Sequence, residues 1–233
     1  MNFFKLLLTT VISFLTINLS AQTVDEIVAK HMDAMGGKEK MLMLKTVKLT
    51  GGMSVNGADV SIVGTRSHNI GSRNDIEVMG TSNYEVANNK EGWTFFPIFR
   101  MEEPVAMEPS LLTSKQVLFD LQGPFVDYKE KGIAIELKGT EKVEGADTWN
   151  LLVTYKNGKT MNYFIDKNTY RVAKTKAAVT ANGEEKIEGL LFADYKQNAG
   201  GYWFPYSVTN DRGTILYSTI ETNIPVDDKV FSK

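Results

Sequence analysis

The alternation of apolar and polar positions is most regular over residues 149–166. A period of two residues predicts half-buried β-strands, and Asn157-Gly158 in the middle predicts the turn between them. A two-residue turn would place the apolar positions of the two strands on opposite faces. A three-residue loop, Lys156-Asn157-Gly158, pairs Leu151 with Tyr163 and gives one continuous apolar face. It also puts Gly158 at the left-handed position of the loop.

The same alternation continues over most of the chain and predicts further strands. They are Val47–Val55, Val60–His68, Ser72–Met79, Tyr84–Asn88, Glu91–Pro97, Ile133–Lys138, Tyr170–Val179, Lys186–Tyr195, Tyr202–Thr209 and Thr214–Glu221. Helical periodicity is confined to Thr23–Met35, Lys38–Leu44 and Ser110–Leu121. Strands at short spacing without helices between them predict an antiparallel sheet of about ten strands, with the helices covering one face. The expected class is α+β.

Large apolar side chains are expected to share one face of this sheet. The residues in question are Trp93, Phe95, Trp149, Leu151, Val153, Tyr163, Phe204 and Tyr206. Two interpretations are open. Short helices that leave this face under-filled would create a cavity for an apolar ligand, whereas an ordinary packed core needs no ligand. The pattern alone favours the packed core.

The first residues have the composition of a secretory signal peptide. One lysine precedes an apolar stretch, and Ser20-Ala21-Gln22 supplies small residues for cleavage. We therefore expect a signal peptide over residues 1–22 and a single domain over 23–233. The sequence has no cysteine, so neither disulfides nor a lipid anchor on cysteine is available. A periplasmic protein without a lipid anchor is the expectation.

Charge and motifs restrict the function further. The formal net charge is −2, which argues against nucleic-acid binding. The only histidines, His31 and His68, lack the spacing of a metal site, and no G-x-S-x-G motif is present. We therefore expect no catalytic residues, no metal and no cofactor. Arg66 is either a surface arginine, which the pattern favours, or a latch that bonds the terminal carbonyls of a helix.

Several stretches resemble a known family, the LolA/LolB-like periplasmic lipoprotein carriers, in the subgroup of outer-membrane lipoprotein-sorting proteins. The matching stretches are Asp25–Gly51, Gly123–Gly132, Gly139–Val172, Phe192–Val208 and Asn223–Phe231. The resemblance implies a strongly curved antiparallel sheet, an incomplete barrel, whose open side is closed by helices and which holds acyl chains. It also implies a lid formed by the N-terminal helix and the Ser110–Leu121 helix, with a latching arginine on an early strand, for which Arg66 is a candidate.

Two hypotheses about function follow. The favoured one is a soluble, monomeric, non-enzymatic carrier or binder of lipid or of the acyl chains of lipoproteins, with envelope proteins and the membrane surface as further partners. The alternative is a periplasmic protein-interaction or sensor module with a filled core. Leu152 and Phe164, apolar residues on the second face of the first hairpin, favour the alternative.

Overall fold

The computed structural model describes residues 22–181 and 184–233. The predicted signal peptide, apart from its last residue, lies outside these ranges. The described chain is dominated by antiparallel strands, and its helices are few and short. The expected α+β class is confirmed.

Within the described residues, thirteen strands form one sheet. They are β1 (Thr46–Val55), β2 (Ala58–Ser67), β3 (Gly71–Val78), β4 (Thr81–Asn88), β5 (Gly92–Phe95), β6 (Val105–Ala106), β7 (Ala134–Val143), β8 (Ala146–Thr154), β9 (Thr160–Asp166), β10 (Val172–Ala181), β11 (Glu184–Gln197), β12 (Trp203–Asn210) and β13 (Gly213–Thr222). Their order is β6-β5-β4-β3-β2-β1-β13-β12-β11-β10-β9-β8-β7. Two meanders therefore meet where β1 pairs with β13, in the middle of the sheet.

In the part of the chain that the structure describes, three α-helices accompany the sheet: α1 (Val24–Ala34), α2 (Lys38–Leu42) and α3 (Pro109–Gln116). Single 3-10 turns follow at Pro97–Phe99, Val117–Phe119 and Asp228–Phe231. All three predicted helices are present. The predicted helix Ser110–Leu121 is shorter than expected, because its last turn changes to 3-10 geometry after Gln116.

The position of α3 shows how strongly the sheet is curved. Its Cα atoms lie within 8 Å of Cα atoms of both β4 and β10. Those strands are seven positions apart in the sheet order, or about 34 Å in a flat sheet. A helix of eight residues is only about 12 Å long. The sheet therefore bends around α3, and the face that carries α3 is concave.

Bulges and close backbone contacts accompany this curvature. The register of β1 with β13 shifts between Thr50 and Gly51. A Cβ atom at Gly51 would lie 2.3 Å from the carbonyl oxygen of Leu216, so only glycine fits there. Bulges bend a strand and increase its twist. The pairings β7–β8 and β10–β9 also shift register.

The β8–β9 hairpin has the predicted three-residue loop. Leu151 is opposite Tyr163 and Val153 is opposite Met161. The amide of Gly158 donates to the carbonyl of Tyr155 over 2.8 Å, and Gly158 has a φ of 81°. On the second face of this hairpin Phe164 is only 1% exposed. That face is therefore partly dry, as the sequence indicated.

Candidate functional site

The strand register assigns each residue to the concave or the convex face. Residues opposite one another in paired strands share a face, and neighbours along a strand alternate. Leu49 on β1 is opposite Ile220 on β13, and Thr175 on β10 is opposite both Leu190 and Tyr163. Followed from strand to strand, these pairs place the apolar side chains of β1 and β8–β13 on the concave face.

Under α1 the concave face is a packed core. Trp149, Leu151, Val153 and Tyr163 are between 0% and 9% exposed. They pack against residues from α1 and from the segment after α3, residues 117–133: Ile27, Val28 and Phe125. The sequence left open whether these four residues line a ligand cavity or a packed core. The structure places them in the core beneath α1, and their role in ligand binding stays a prediction.

His31 of α1 belongs to the same core. The edge of its ring faces Phe125, with 4.9 Å between the ring centroids. Nδ1 lies 2.7 Å from the carbonyl oxygen of Tyr170, to which it donates a hydrogen bond. Burial lowers the pKa of His31 to about 4, so the ring is neutral at pH 7. His31 is therefore a packing residue whose one donor is satisfied.

A second region of the concave face is more open. On β11–β13 it carries apolar side chains that are only partly buried, which we call the central apolar face: Leu190, Phe192, Phe204, Tyr206, Val208, Ile215 and Tyr217. Phe204, Tyr206 and Tyr217 border a smaller buried cluster around Leu49 and Tyr202. Phe204 and Tyr206 thus lie where the sequence placed them, on the apolar concave side.

Helix α3 lies across this concave side and buries none of its own residues. Leu111 and Leu112 pack against the buried cluster of Ala87, Met107 and Phe119, and its other contacts are polar. Lys115 forms a 2.8 Å ion pair with Glu85 of β4, and Gln116 donates to the carbonyl of Asn89 over 3.1 Å. Leu112 lies over Gly92, where a Cβ atom would come within 3.2 Å of it. These side-chain contacts are on the β4–β5 side of the sheet, while the backbone of α3 also lies within 8 Å of β10.

The segment after α3 is also tied to the sheet. Nδ1 of His68 accepts a hydrogen bond from the amide of Leu121 over 3.2 Å. The side-chain amide of Gln122 donates to the carbonyl of Leu42 over 3.0 Å. Phe119 is buried beside Ala87. These ties, like the Glu85–Lys115 pair, join residues far apart in the chain and left no signal in the sequence.

Trp93 and Phe95 are on the convex face, so the prediction that they share a face with Trp149 is wrong. Trp93 is opposite Val86, which is opposite Arg73, and this row ends at Lys48, the neighbour of Leu49. Instead of lining the concave side, the Trp93 ring lies under the Nζ atom of Lys233, 4.3 Å from the ring centroid.

Arg66 is on the concave face, opposite Val47 and Ser72. No described residue forms a hydrogen bond or ion pair with its guanidinium, so its role as a latch stays a prediction. A different arginine bonds a helix end. Nη2 of Arg171 donates to the carbonyl of Ala34, the last residue of α1, over 3.3 Å, and its guanidinium stacks 3.7 Å from the centroid of the Trp203 ring.

Two depressions open next to the helices. One, of about 190 Å³, lies between α1 and the segment 125–130. The other, of about 250 Å³, lies between the end of α3 and the β8–β9 loop, and Tyr155 lines it. The Tyr155 hydroxyl is 2.7 Å from that of Tyr163, and burial raises the pKa of Tyr155 to about 12. Both volumes are below the roughly 300–1,000 Å³ of ordinary ligand pockets.

Within residues 22–181 and 184–233, no three side chains of His, Asp or Glu are grouped closely enough to hold a metal ion. Over the same ranges, no helix has the length and hydropathy needed to cross a membrane. His31 and His68 are each engaged as described above.

Neither a family model nor a curated protein sequence matches the chain. Solved structures do match it. A LolA superfamily protein from Nitrosomonas europaea is 13% identical with a TM-score of 0.55, and the match covers 91% of this chain and 99% of that one. This chain has the LolA superfamily fold.

Two further structures share the LolA-like fold. A DUF1329 family protein from Desulfovibrio piger is 15% identical with a TM-score of 0.54, and the match covers 88% of this chain and 97% of that one. A domain from Vibrio parahaemolyticus that carries the name of an outer membrane lipoprotein-sorting protein is 16% identical with a TM-score of 0.52, covering 89% and 95%. At such identities the likeness describes the fold, and function has to be argued from the LolA-like concave face itself.

Proposed function

We propose that this protein is a soluble periplasmic carrier of lipid, or of the acyl chains of lipoproteins, and that it contributes to outer-membrane lipoprotein or lipid trafficking. The proposed activity is binding and release, without catalysis. The observation that carries the proposal is the central apolar face. Its side chains are partly exposed, and α3, the helix across the concave side, buries none of its residues.

Hydrocarbon is the ligand that this surface suits. Each buried CH₂ group stabilises a complex by roughly 0.8 kcal/mol, so one long acyl chain supplies most of a useful affinity. The depressions described above, about 190 and 250 Å³, are small for such a chain. We therefore expect loading onto the central apolar face to displace α3, which buries none of its residues and is held by polar contacts to Glu85 and Asn89 and by packing of Leu111 and Leu112.

Neighbouring residues of β13 provide a matched test of binding. Ile215 is partly buried on the concave face, whereas Leu216 points to the convex face and is 60% exposed. We expect Ile215→Glu to weaken binding of a fluorescent fatty-acid probe at least tenfold and Leu216→Glu to leave it unchanged. Native mass spectrometry of the gently purified protein should show bound lipid. A wild-type protein that carries no lipid and does not bind the probe would overturn the proposal.

A cross-link tests the movement of α3. The sequence has no cysteine, so the double variant Glu85→Cys, Lys115→Cys contains only the two introduced thiols. A short bis-thiol cross-linker between them ties α3 to β4. We expect uptake of the probe to stop after cross-linking and to persist in the uncross-linked variant. Equal uptake in both states would show that the chain enters without displacement of α3.

The alternative, an interaction module with a filled core, is favoured by one observation. The concave face under α1 is fully packed, with Leu151 and Val153 at 0% exposure. If the protein is empty and recovers a single envelope protein in a pull-down, this second function replaces the first.

A further inference from the structure

The concave face differs in character from one region to another. β11–β13 present the central apolar face, whereas β2–β4 carry polar side chains in two cross-strand rows and apolar ones, Ile62 and Ile76, in the next row. One row runs Val47, Arg66, Ser72, Ala87, and the next runs Leu49, Gly64, Asn74, Glu85. The polar members of these rows, with Lys115 of α3, form what we call the polar patch: Arg66, Ser72, Asn74, Glu85 and Lys115.

The polar patch lies between two apolar clusters. On the β1 side Val47 and Leu49 are buried together with Tyr202. On the β4 side Ala87 is buried with Phe119. Arg66 is partly buried, and the strand on one side of it, β1, is dry at Val47 and Leu49. A polar group in such a place is normally hydrogen-bonded, because an unpaired one is costly.

Three members of the patch have unused hydrogen-bonding capacity. Among the described residues, none forms a side-chain hydrogen bond with Arg66, Ser72 or Asn74. Arg66 and Ser72 are directly opposite one another, and Asn74 is one step diagonally away, within reach of an arginine side chain. A guanidinium, a hydroxyl and an amide without a partner among the described residues thus share one area of the concave face.

The charge of the patch favours an anion. Glu85 is neutralised by Lys115, whose Nζ lies 2.8 Å from its Oε2. Arg66 is left as the one uncompensated charge among the residues of the two rows and Lys115. A planar guanidinium binds carboxylate or phosphate through two parallel hydrogen bonds, and such charge-assisted bonds are stronger than neutral ones.

We propose that the polar patch is a headgroup subsite, and that the cargo is an amphiphile with an anionic headgroup, carboxylate or phosphate, bound by Arg66 with Ser72 and Asn74. This inference rests on the proposed carrier function and names the chemical class of its ligand. The acyl chain then lies on the central apolar face, and the headgroup lies against β2 and β3.

Ligands with one chain length and different headgroups test the proposal. We would measure the affinity of the full protein for palmitate, for palmitoyl lysophosphatidic acid and for hexadecanol, which has no charge. We expect Arg66→Gln to lower the affinity for the anionic ligand that the patch recognises by tenfold to a hundredfold. This is the range for a lost hydrogen bond to a charged group. Binding of hexadecanol should change less than twofold. The larger loss, for palmitate or for the lysophosphatidic acid, identifies the headgroup.

Arg73 offers a matched control, because it lies on the neighbouring strand, faces the convex side and already pairs with Asp75. Arg73→Gln should change none of the three affinities. Arg66→Lys keeps the charge without the planar fork and should recover part of the lost affinity, which a merely structural role of Arg66 would not predict.

The outcomes separate the two proposals. If Arg66→Gln leaves the affinity for both anionic ligands unchanged, or lowers the affinity for hexadecanol equally, the proposed headgroup subsite is wrong and the carrier function stands. If the wild-type protein binds none of the three ligands, the carrier function fails and the subsite with it.

Discussion

Helices α1 and α3 lie on the same face of one sheet and are held there in different ways. α1 begins with a capping box between Thr23 and Glu26 and buries Ile27, Val28 and His31. α3 begins at Glu108 without a side-chain cap and buries no residue. The attachment of α1 is apolar and buried, whereas α3 is held by two partly buried leucines, Leu111 and Leu112, and by polar contacts that water replaces at little cost. α1 is part of the core, and α3 is the helix that we propose moves on loading.

The largest expected change in stability comes from truncating a buried side chain of α1, and the same truncation on α3 should cost less. Ile27→Ala removes a side chain that is 0% exposed and should lower the free energy of unfolding by roughly 2–5 kcal/mol. Leu111→Ala, on α3, removes a partly buried side chain and should cost about 1 kcal/mol. Urea denaturation measures both. Equal losses would contradict the distinction between the helices.

The stability of the protein should depend on pH through His31 of α1. The pKa of His31 is lowered to about 4, against about 6.5 in an unfolded chain. The unfolded state therefore binds more protons between these values. Stability is complete above about pH 6.5 and is lost as the pH falls towards 4, by about 3 kcal/mol at most.

Denaturation at several pH values checks this, and His31→Gln should flatten the profile. Burial also lowers the pKa of His68, so His68→Gln is measured in parallel. The sequence of α3 contains no histidine. A profile that flattens only in His68→Gln would assign the pH dependence to the segment after α3.

Substitutions at the N-terminal caps of the two helices should change the free energy of unfolding in opposite directions. Thr23→Ala removes the cap of α1 and should cost about 1 kcal/mol. Glu108→Ser adds a capping hydroxyl to α3 and should stabilise it by up to about 1 kcal/mol while slowing lipid uptake. Thermal unfolding and probe-uptake kinetics measure the two effects. Faster uptake in Glu108→Ser would mean that α3 does not gate the concave face.

The smallest change is expected from the ion pair between α3 and β4. The side chains of Lys115 and Glu85 are 24% and 28% exposed, so Glu85→Gln should cost less than about 1 kcal/mol of global stability. Hydrogen exchange should nevertheless become faster in α3 and stay unchanged in α1. Uniform acceleration in both helices would show that the pair stabilises the whole sheet.

The sequence predicted what is local and missed what depends on distant pairing. The parity of the two strands predicted the length of the β8–β9 loop, and helical periodicity predicted both ends of α1 to within one residue. Trp93 and Phe95 alternate just as Trp149 and Leu151 do, and only the pairing of β1 with β13 decides which face each set occupies. The two-residue strand β6 is too short to show a period.

The candidate site was predictable to a similar extent. Phe204 and Tyr206 were expected on the apolar face and lie there. The burial of Trp149 and Val153 under α1 was open, because alternation shows which face is apolar and not what covers it. The contact of Arg171 with Ala34 joins residues 137 positions apart, and no local pattern indicates it.

The pairing of β1 with β13 has a consequence for how the chain assembles. Val47 of β1 is opposite Thr222 of β13. One edge of the first strand therefore stays unpaired until the last strand of the sheet has formed. Contacts of such long sequence separation slow folding, and unpaired edges promote aggregation meanwhile. We expect each meander to form early as a separate unit, and their joining at the centre to be the slow step of refolding.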